Sequence, residues 1–316
     1  MENKTVFGPI HSRRFGSSLG VDLSPAFKQC NFDCLYCELT PAATIDKQTD
    51  VVSVQTIIKD LSIALEEHRN IDVITLTANG EPTLYPYLDE LVDEIKRIKG
   101  AKEILILTNS AALINEKIFH TLLKLDQVKL SLDAVTLETF KKIDRPHEGI
   151  DIDTLISRVQ EFSRCFKGKL FIEVLFVHGL NDTKEEVEAL NEVLKTLEHI
   201  QRIDLGTIDR PPAYPVQGIS YGELFEIARI FDASLPVHIA SRTHAESCIG
   251  SYGNDEIINM LDKRPLTFED IELLFDKDSK TRLEKLIKNG EITVKKVGNL
   301  EFLIPLGNLK RKRQKS

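Results

Sequence analysis

No stretch of this sequence approaches the roughly 18 consecutive apolar residues that a membrane span requires. The opening residues, MENKTVFGPI, also lack the long apolar core of a secretory signal. Both absences predict a cytoplasmic protein without a membrane partner. An excess of basic charge is missing as well: 41 Lys and Arg against 49 Asp and Glu leave a formal net charge of −8. That excludes a chain coating nucleic acid over its whole surface, because phosphate binding needs concentrated Lys and Arg. Cysteine is scarce, with five in 316 residues, and three of the five fall within eight positions. A disulfide framework does not explain such crowding. In a reducing compartment a cluster of this kind holds metal or does redox chemistry.

What is present is an ordinary globular composition, 42% hydrophobic and 28% charged, long enough for one large domain and a small one. In GPIHSRRFGSSLGVDLSP the Gly and Ser punctuation predicts turns, and LGVDL a short strand. From Val51 the pattern becomes regular. SVQTIIKDLSIALEEH has helical spacing, IDVITLT is a buried-type strand, and YLDELVDEIKRIKG is an amphipathic helix closed by Gly100. Strands EILILTN, VKLSLDA, KLFIEVLFV and RIDLGT follow, separated by helices over INEKIFHTLLKL, a stretch ending near Cys165, and KEEVEALNEVLKTLEH. About six strand–helix units in succession predict parallel βαβ topology with right-handed crossovers. The fold class is α/β, a partial (β/α)6 TIM-like barrel with its ligand mouth at the carboxyl ends of the strands.

A further helix, GELFEIARIF, and a short strand, VHIA, complete a core over residues 1–245. The alternation stops in residues 246–308, where NDEIINML, TFEDIELLF and SKTRLEKLIKNG read as short helices, and EITVKKV and LEFLIPL as a hairpin around Gly298-Asn299. These are the parts of a small α+β winged-helix-like module. Residues 309–316 form a basic tail with Lys310, Arg311, Lys312, Arg313 and Lys315, which could track phosphates or only aid solubility.

Cys30, Cys34 and Cys37, in CNFDCLYC, are the informative residues. Composition alone would produce this spacing with roughly one chance in a thousand. Three thiolates on one short loop can hold three irons of a cubane and leave the fourth open to chelate the amino and carboxylate groups of a small molecule. A zinc knuckle is the alternative and needs four closed ligands, for which Cys165, Cys248 and His244 stand far along the chain.

CNFDCLYC matches the CxxxCxxC signature and resembles the radical S-adenosylmethionine (SAM) superfamily, with Tyr36 at the aromatic position beside the adenine. The likeness covers roughly residues 18 to 240. Asn79, Gly80, Glu81 and Pro82 after the second strand look like the family's GGE motif, whose backbone holds the SAM amino group; Asn79 replaces its first Gly. Thr108, Asn109, Ser131 and Asp133 end strands where related enzymes contact the SAM carboxylate and ribose, although such residues also cap helices. The resemblance implies a [4Fe-4S] cluster and SAM as cofactors, a one-electron donor such as flavodoxin or ferredoxin, and a 5′-deoxyadenosyl radical that abstracts hydrogen from an unreactive carbon. A mostly apolar barrel interior would suit that radical.

Gly8 to Arg14, Ser18 to Asp22, Glu38, GEPTL, Gly179 to Asp182 and Arg210-Pro211 narrow the resemblance to Fe–S oxidoreductases related to wyosine-forming tRNA enzymes. Those enzymes carry a second cluster on upstream cysteines, and none precedes Cys30 here. Lys28 cannot be assigned as their substrate lysine on nearness alone, so neither pyruvate nor a modified guanosine is assigned as substrate.

Candidate catalytic groups are His178 after the fifth strand, and Asp209 and Arg210 after the sixth; Arg145 could form an anion contact. Loop caps and surface ion pairs are the plainer explanations. Glu173, mid-strand, would need a partner inside a barrel. His11, Arg13 and Arg14 could bind an anion ahead of the cluster, and Cys248, four residues from His244, could donate hydrogen or be a buried structural thiol. Three functions follow: a radical SAM enzyme acting on tRNA or other RNA, the same chemistry on a small molecule or protein, or a non-catalytic Fe–S regulator that senses redox state and binds nucleic acid.

Overall fold

Strand and helix alternate through most of the chain, and helix starts are written in the side chains that precede them. Ser53, Asn115, Thr136, Asp151, Thr183 and Ser220 each accept a hydrogen bond from a backbone amide two or three residues on, satisfying donors that a helix leaves open. The computed structural model describes residues 5–12, 15–239, 250–263, 266–297 and 300–306.

Eight strands form one sheet in sequence order: β1 (Val6–Ser12), β2 (Gly16–Asp22), β3 (Val73–Thr77), β4 (Glu103–Thr108), β5 (Gln127–Ser131), β6 (Lys169–Phe176), β7 (Ile200–Thr207) and β8 (Val237–Ile239). β2 to β8 run parallel, while β1 lies antiparallel on the edge beside β2. The connecting helices are α1 (Val54–Glu67), α2 (Leu88–Ile98), α3 (Glu116–Leu122), α4 (Leu137–Ile143), α5 (Ile152–Cys165), α6 (Lys184–Lys195) and α7 (Tyr221–Ala228). This is the partial barrel that the spacing predicts.

Two stretches depart from the sequence expectation. GPIHS is strand, not turn: an edge strand tolerates Pro9 because it needs no ladder donor there, and the register shifts between Phe7 and Ile10. The helical stretch ending at Cys165 is two helices, since Pro146 forbids continuation and Arg145 adopts a left-handed φ of 48°. Asp151 then restarts the helix by capping Thr154 N at 2.8 Å.

The main core lies between the sheet and the helices. Leu19, Ile74, Ile106, Leu130, Ile172 and Ile203, from six successive strands, are fully buried together with Leu61, Leu91, Phe162 and Leu190 of the helices. The alternate strand positions face the barrel interior, and there polar and charged residues interrupt the expected apolar lining. Ser18 and Thr75 hydrogen-bond at 2.7 Å, Lys129 pairs with Glu173, and Arg202 holds Asp204. Glu173 therefore has the partner a buried carboxylate requires.

The remaining elements are α8 (Asn254–Lys263), β9 (Leu266–Thr267), α9 (Phe268–Leu274), α10 (Lys277–Lys288), β10 (Ile292–Val297) and β11 (Leu300–Pro305). Their three-stranded antiparallel sheet has the order β10-β11-β9 around a second core that includes Tyr252, Ile257, Leu261, Phe275, Leu283 and Leu303. The element order is that of the winged-helix-like module. Arg13, Arg14, His244, Cys248, Gly298, Asn299 and the basic tail lie outside the described residues. Among the described residues no helix is long and apolar enough to cross a membrane.

Candidate functional site

The residues between β2 and α1 cross the carboxyl ends of the strands without regular structure, so their shape is set by hydrogen bonds to neighbours. Gln29 is the main tie. Its amide donates to Asn79 O at 2.8 Å and its carbonyl accepts from Glu81 N at 2.9 Å, a parallel bridge to Gly80. The buried Gln29 side chain also binds Ser24, Thr49 and Asp50. Gly80 has φ 127°, and a Cβ there would stand 2.0 Å from Gln29 O. The glycine is required because the cysteine loop passes against its backbone.

Further on, Leu35 N donates to Ile143 O, Asp33 N to Asp144 O, and His147 N to Asn31 O, so the end of α4 clamps the cysteine loop. Asp33 gathers three partners: Lys28 at 3.3 Å, Arg145 at 3.3 Å and the Tyr214 hydroxyl. Arg145 also lies 4.8 Å over the Tyr214 ring. Residues 208–220 cross the loop as a strap, with Ala213 N donating to Cys37 O at 2.8 Å and Arg210 paired to Glu38. Lys28, Asp33, Tyr214 and Gln29 carry the geometry, yet nothing in sequence spacing singles out their contacts.

The three thiols sit half-buried on this scaffold. Burial pushes Cys30 up to about 12, with Glu81 adding to the shift, and raises Cys34 well above the ordinary thiol value, with Asp144 next in weight. Cys37 is raised by burial too, while Lys28 opposes the shift. Such thiols stay protonated unless a cation takes the charge, and bound iron supplies one. Among the described residues no group of three His, Cys, Asp or Glu is placed to hold a single metal ion. Cys165 is exposed at the end of α5 and offers no fourth ligand.

Around the loop stand the strand ends. Glu81 is fully enclosed and accepts from Thr83 N, the Thr83 and Thr108 hydroxyls, and Asn109 N at 2.8 Å. Its side chain thus fixes β4 against β3. Asn109 donates to Asn31 Oδ1 at 2.6 Å and points its amide at Cys30 Sγ, 3.9 Å away. The next residue, Ser110, has φ 72°, a strained backbone of the kind found at working sites. Tyr36 donates its hydroxyl to Asp133, whose other oxygen accepts from Leu175 N at 2.6 Å. A narrow cavity opens beside them, lined by Tyr36, Asn109, Ser131, Asp133 and Asp144 among others. Burial raises Asp133 to about 7 and Asp144 well above the carboxylate range.

Every strand-end residue singled out by sequence is therefore brought to one mouth with the cysteines, and so is Arg210. His178 stands apart, its side chain 60% exposed and paired with Asp182 at 3.2 Å. Asp209 is exposed next to Arg210. His11 lies in β1.

Comparison with known proteins bears on this arrangement. A family model described as the Radical SAM superfamily matches residues 25–200. A "UPF0026 protein" of Helicobacter pylori is 42% identical over 301 residues, covering 94% of this chain and 96% of that protein. A radical SAM methyltransferase from Sphaerobacter thermophilus has a similar fold, with a TM-score of 0.56 at 17% identity over 72% of this chain and 67% of its own. The structure of TYW1 with a lysine–pyruvate adduct bound gives 0.51 at 16% identity, over 69% of this chain and 74% of its own.

Proposed function

Because the chain belongs to the radical SAM superfamily, and so is an enzyme that uses a [4Fe-4S] cluster and SAM, we propose that Cys30, Cys34 and Cys37 bind the cluster. Asn79, Gly80, Glu81, Asn109, Ser131, Asp133 and Tyr36 form the SAM site in this reading. The observation that carries it is the Gln29–Gly80 bridge, which fastens the three-thiol loop to the strand ends where those residues stand. Membership of an enzyme superfamily leaves the non-catalytic regulator without support.

When bound, the cluster and SAM supply reductive cleavage of the sulfonium to a 5′-deoxyadenosyl radical that removes hydrogen from an unreactive carbon. The chain's own groups bind and orient. Lys28 offsets the charge of the thiolates, its own burial outweighed by Cys37, Cys30 and Asp33. Asn109 turns its amide toward Cys30 Sγ, and Glu81 holds Asn109 in place. The strap of residues 208–220 covers the loop from the solvent side and brings Arg210 to the mouth, which makes Arg210, with Asp209 beside it, a better catalytic candidate than the exposed His178.

An electron donor of the flavodoxin or ferredoxin type is the partner this chemistry requires. For the substrate, RNA is supported by the element order of residues 250–306 and by the basic residues 310–315. The exposed face of α10 mixes Lys277, Lys285 and Lys288 with Asp278 and Glu284, so phosphate contact falls chiefly to the tail. We read residues 1–245, 246–308 and 309–316 as core, module and tail.

The test is anaerobic reconstitution with iron and sulfide, then dithionite and SAM, with 5′-deoxyadenosine and bound iron both measured. Wild type is expected to form 5′-deoxyadenosine, and Cys34→Ala to lose the iron and the product together. A reconstituted wild-type cluster that neither binds nor cleaves SAM would sink the proposal.

A further inference from the structure

The inner face of the sheet is charged where a parallel sheet is ordinarily apolar on both sides. Ser131, Glu173, Asp204 and His238 occupy one rung across β5 to β8. One repeat below, Lys129, Phe171 and Arg202 form the next rung. Lys129 reaches up to Glu173, and Arg202 holds Asp204 through Nε at 2.7 Å and Nη2 at 3.2 Å. Arg202 lies 5.0 Å over the Phe171 ring, and Phe15 packs edge-on against Phe171, so aromatic rings close the floor beneath the charges. At the mouth above, Arg210 pairs with Glu38, the residue after Cys37. Arg210 is near enough to Glu173 for the two charges to interact.

These groups are not alike in how far they are completed within the protein. Asp204 is wholly buried with both oxygens engaged, which is a structural role. The Glu173 side chain keeps 31% exposure and that of Arg210 35%, and Glu38 has one oxygen, Oε2, buried without a hydrogen-bond partner among the described residues. A buried acceptor with no donor costs stability unless a ligand supplies one. Ion pairs in a barrel interior add little that apolar side chains of equal volume would not, so stability alone does not account for them. Each cation here faces a carboxylate. A ligand of one sign would satisfy one member of a pair and strand the other, whereas a ligand of both signs exchanges partners one for one.

We propose that the Lys129–Glu173 and Arg210–Glu38 pairs recognise a small zwitterionic substrate, an ammonium and a carboxylate on a short carbon frame as in an α-amino acid. The ammonium faces Glu38 Oε2 and Glu173, and the carboxylate faces Arg210 and Lys129. This rests on the radical SAM reading, since it seats the substrate on the barrel side of the cysteine loop. It does not depend on the tail's binding RNA.

The test is calorimetric titration of the reconstituted, SAM-loaded protein with the proteinogenic L-amino acids, each beside its N-acetyl and its carboxamide form. SAM binding to the same samples is titrated separately. At least one free amino acid is expected to bind, and removing either of its charges should weaken binding about tenfold or more. Lys129→Met alone removes the ion pair to Glu173 and can fail to fold, so the double variant Lys129→Met with Glu173→Met accompanies it. The double variant should retain iron and SAM and lose the amino acid. Wild type that binds SAM but no free amino acid overturns the inference and leaves the radical SAM reading standing, as does a double variant that binds the amino acid unchanged. Wild type that fails to bind SAM brings down both.

Discussion

Burial pushes the Asp133 carboxyl up to about 7, against the Tyr36 hydroxyl and Leu175 amide that favour its charged form. The folded value lies above the ordinary 3.8, so between the two the folded protein keeps a proton that the unfolded chain has released. Stability from this group is therefore lost as pH rises through that window. In iron-free protein the urea midpoint should fall from about pH 4 to about pH 7, and Asp133→Asn should flatten the slope, an effect on the order of a few kcal/mol. An identical slope in the variant would mean that Asp133 titrates normally. Part of this chemistry is visible in VKLSLDA: Lys129, Ser131 and Asp133 recur every second residue in a strand that parallel packing should make apolar throughout. The alternation marks an inward polar face, but only the neighbouring strand supplies Glu173 as the partner.

Among the elements, α9 illustrates a boundary that sequence chemistry specifies. Thr267 Oγ1 accepts from Asp270 N at 3.2 Å, and Asp270 Oδ2 accepts from Thr267 N at 2.9 Å, a reciprocal cap over three residues. Thr267→Ala should lower the unfolding free energy by about 1 kcal/mol, read from the denaturation midpoint. No shift would show that the α9 start is held by packing of Leu266 and Ile271 in the second core. β1 shows the opposite case. Gly8-Pro9 and Ser12 look like punctuation, and pairing with β2 makes strand of them because an edge position forgives the missing amide. The strap of residues 208–220 is likewise opaque in sequence, since its anchors are Cys37, Asp33 and Glu38, far away along the chain.

For the whole molecule, a net charge of −8 with a cationic end makes any RNA binding local and salt-dependent. Deleting residues 309–316 should weaken tRNA binding in filter or fluorescence assays and reduce its salt dependence, by about 0.7–0.9 in the log–log slope for each phosphate no longer neutralised. Absence of tRNA binding to wild type at low salt would remove RNA as the substrate.

The parallel barrel and the cysteine triad are legible in the linear order of the residues. Hydrophobic periodicity follows from each strand and helix having one partner face, and three thiols within eight residues need no tertiary contact to be recognised. What surrounds them comes from the folded chain alone. Gly80 is a glycine because Gln29 passes 2.0 Å from where its Cβ would stand, and the barrel interior carries charge because Lys129 on β5 meets Glu173 on β6. Such contacts join residues tens of positions apart, and burial, which sets their strength, is a property of the folded chain and not of any segment.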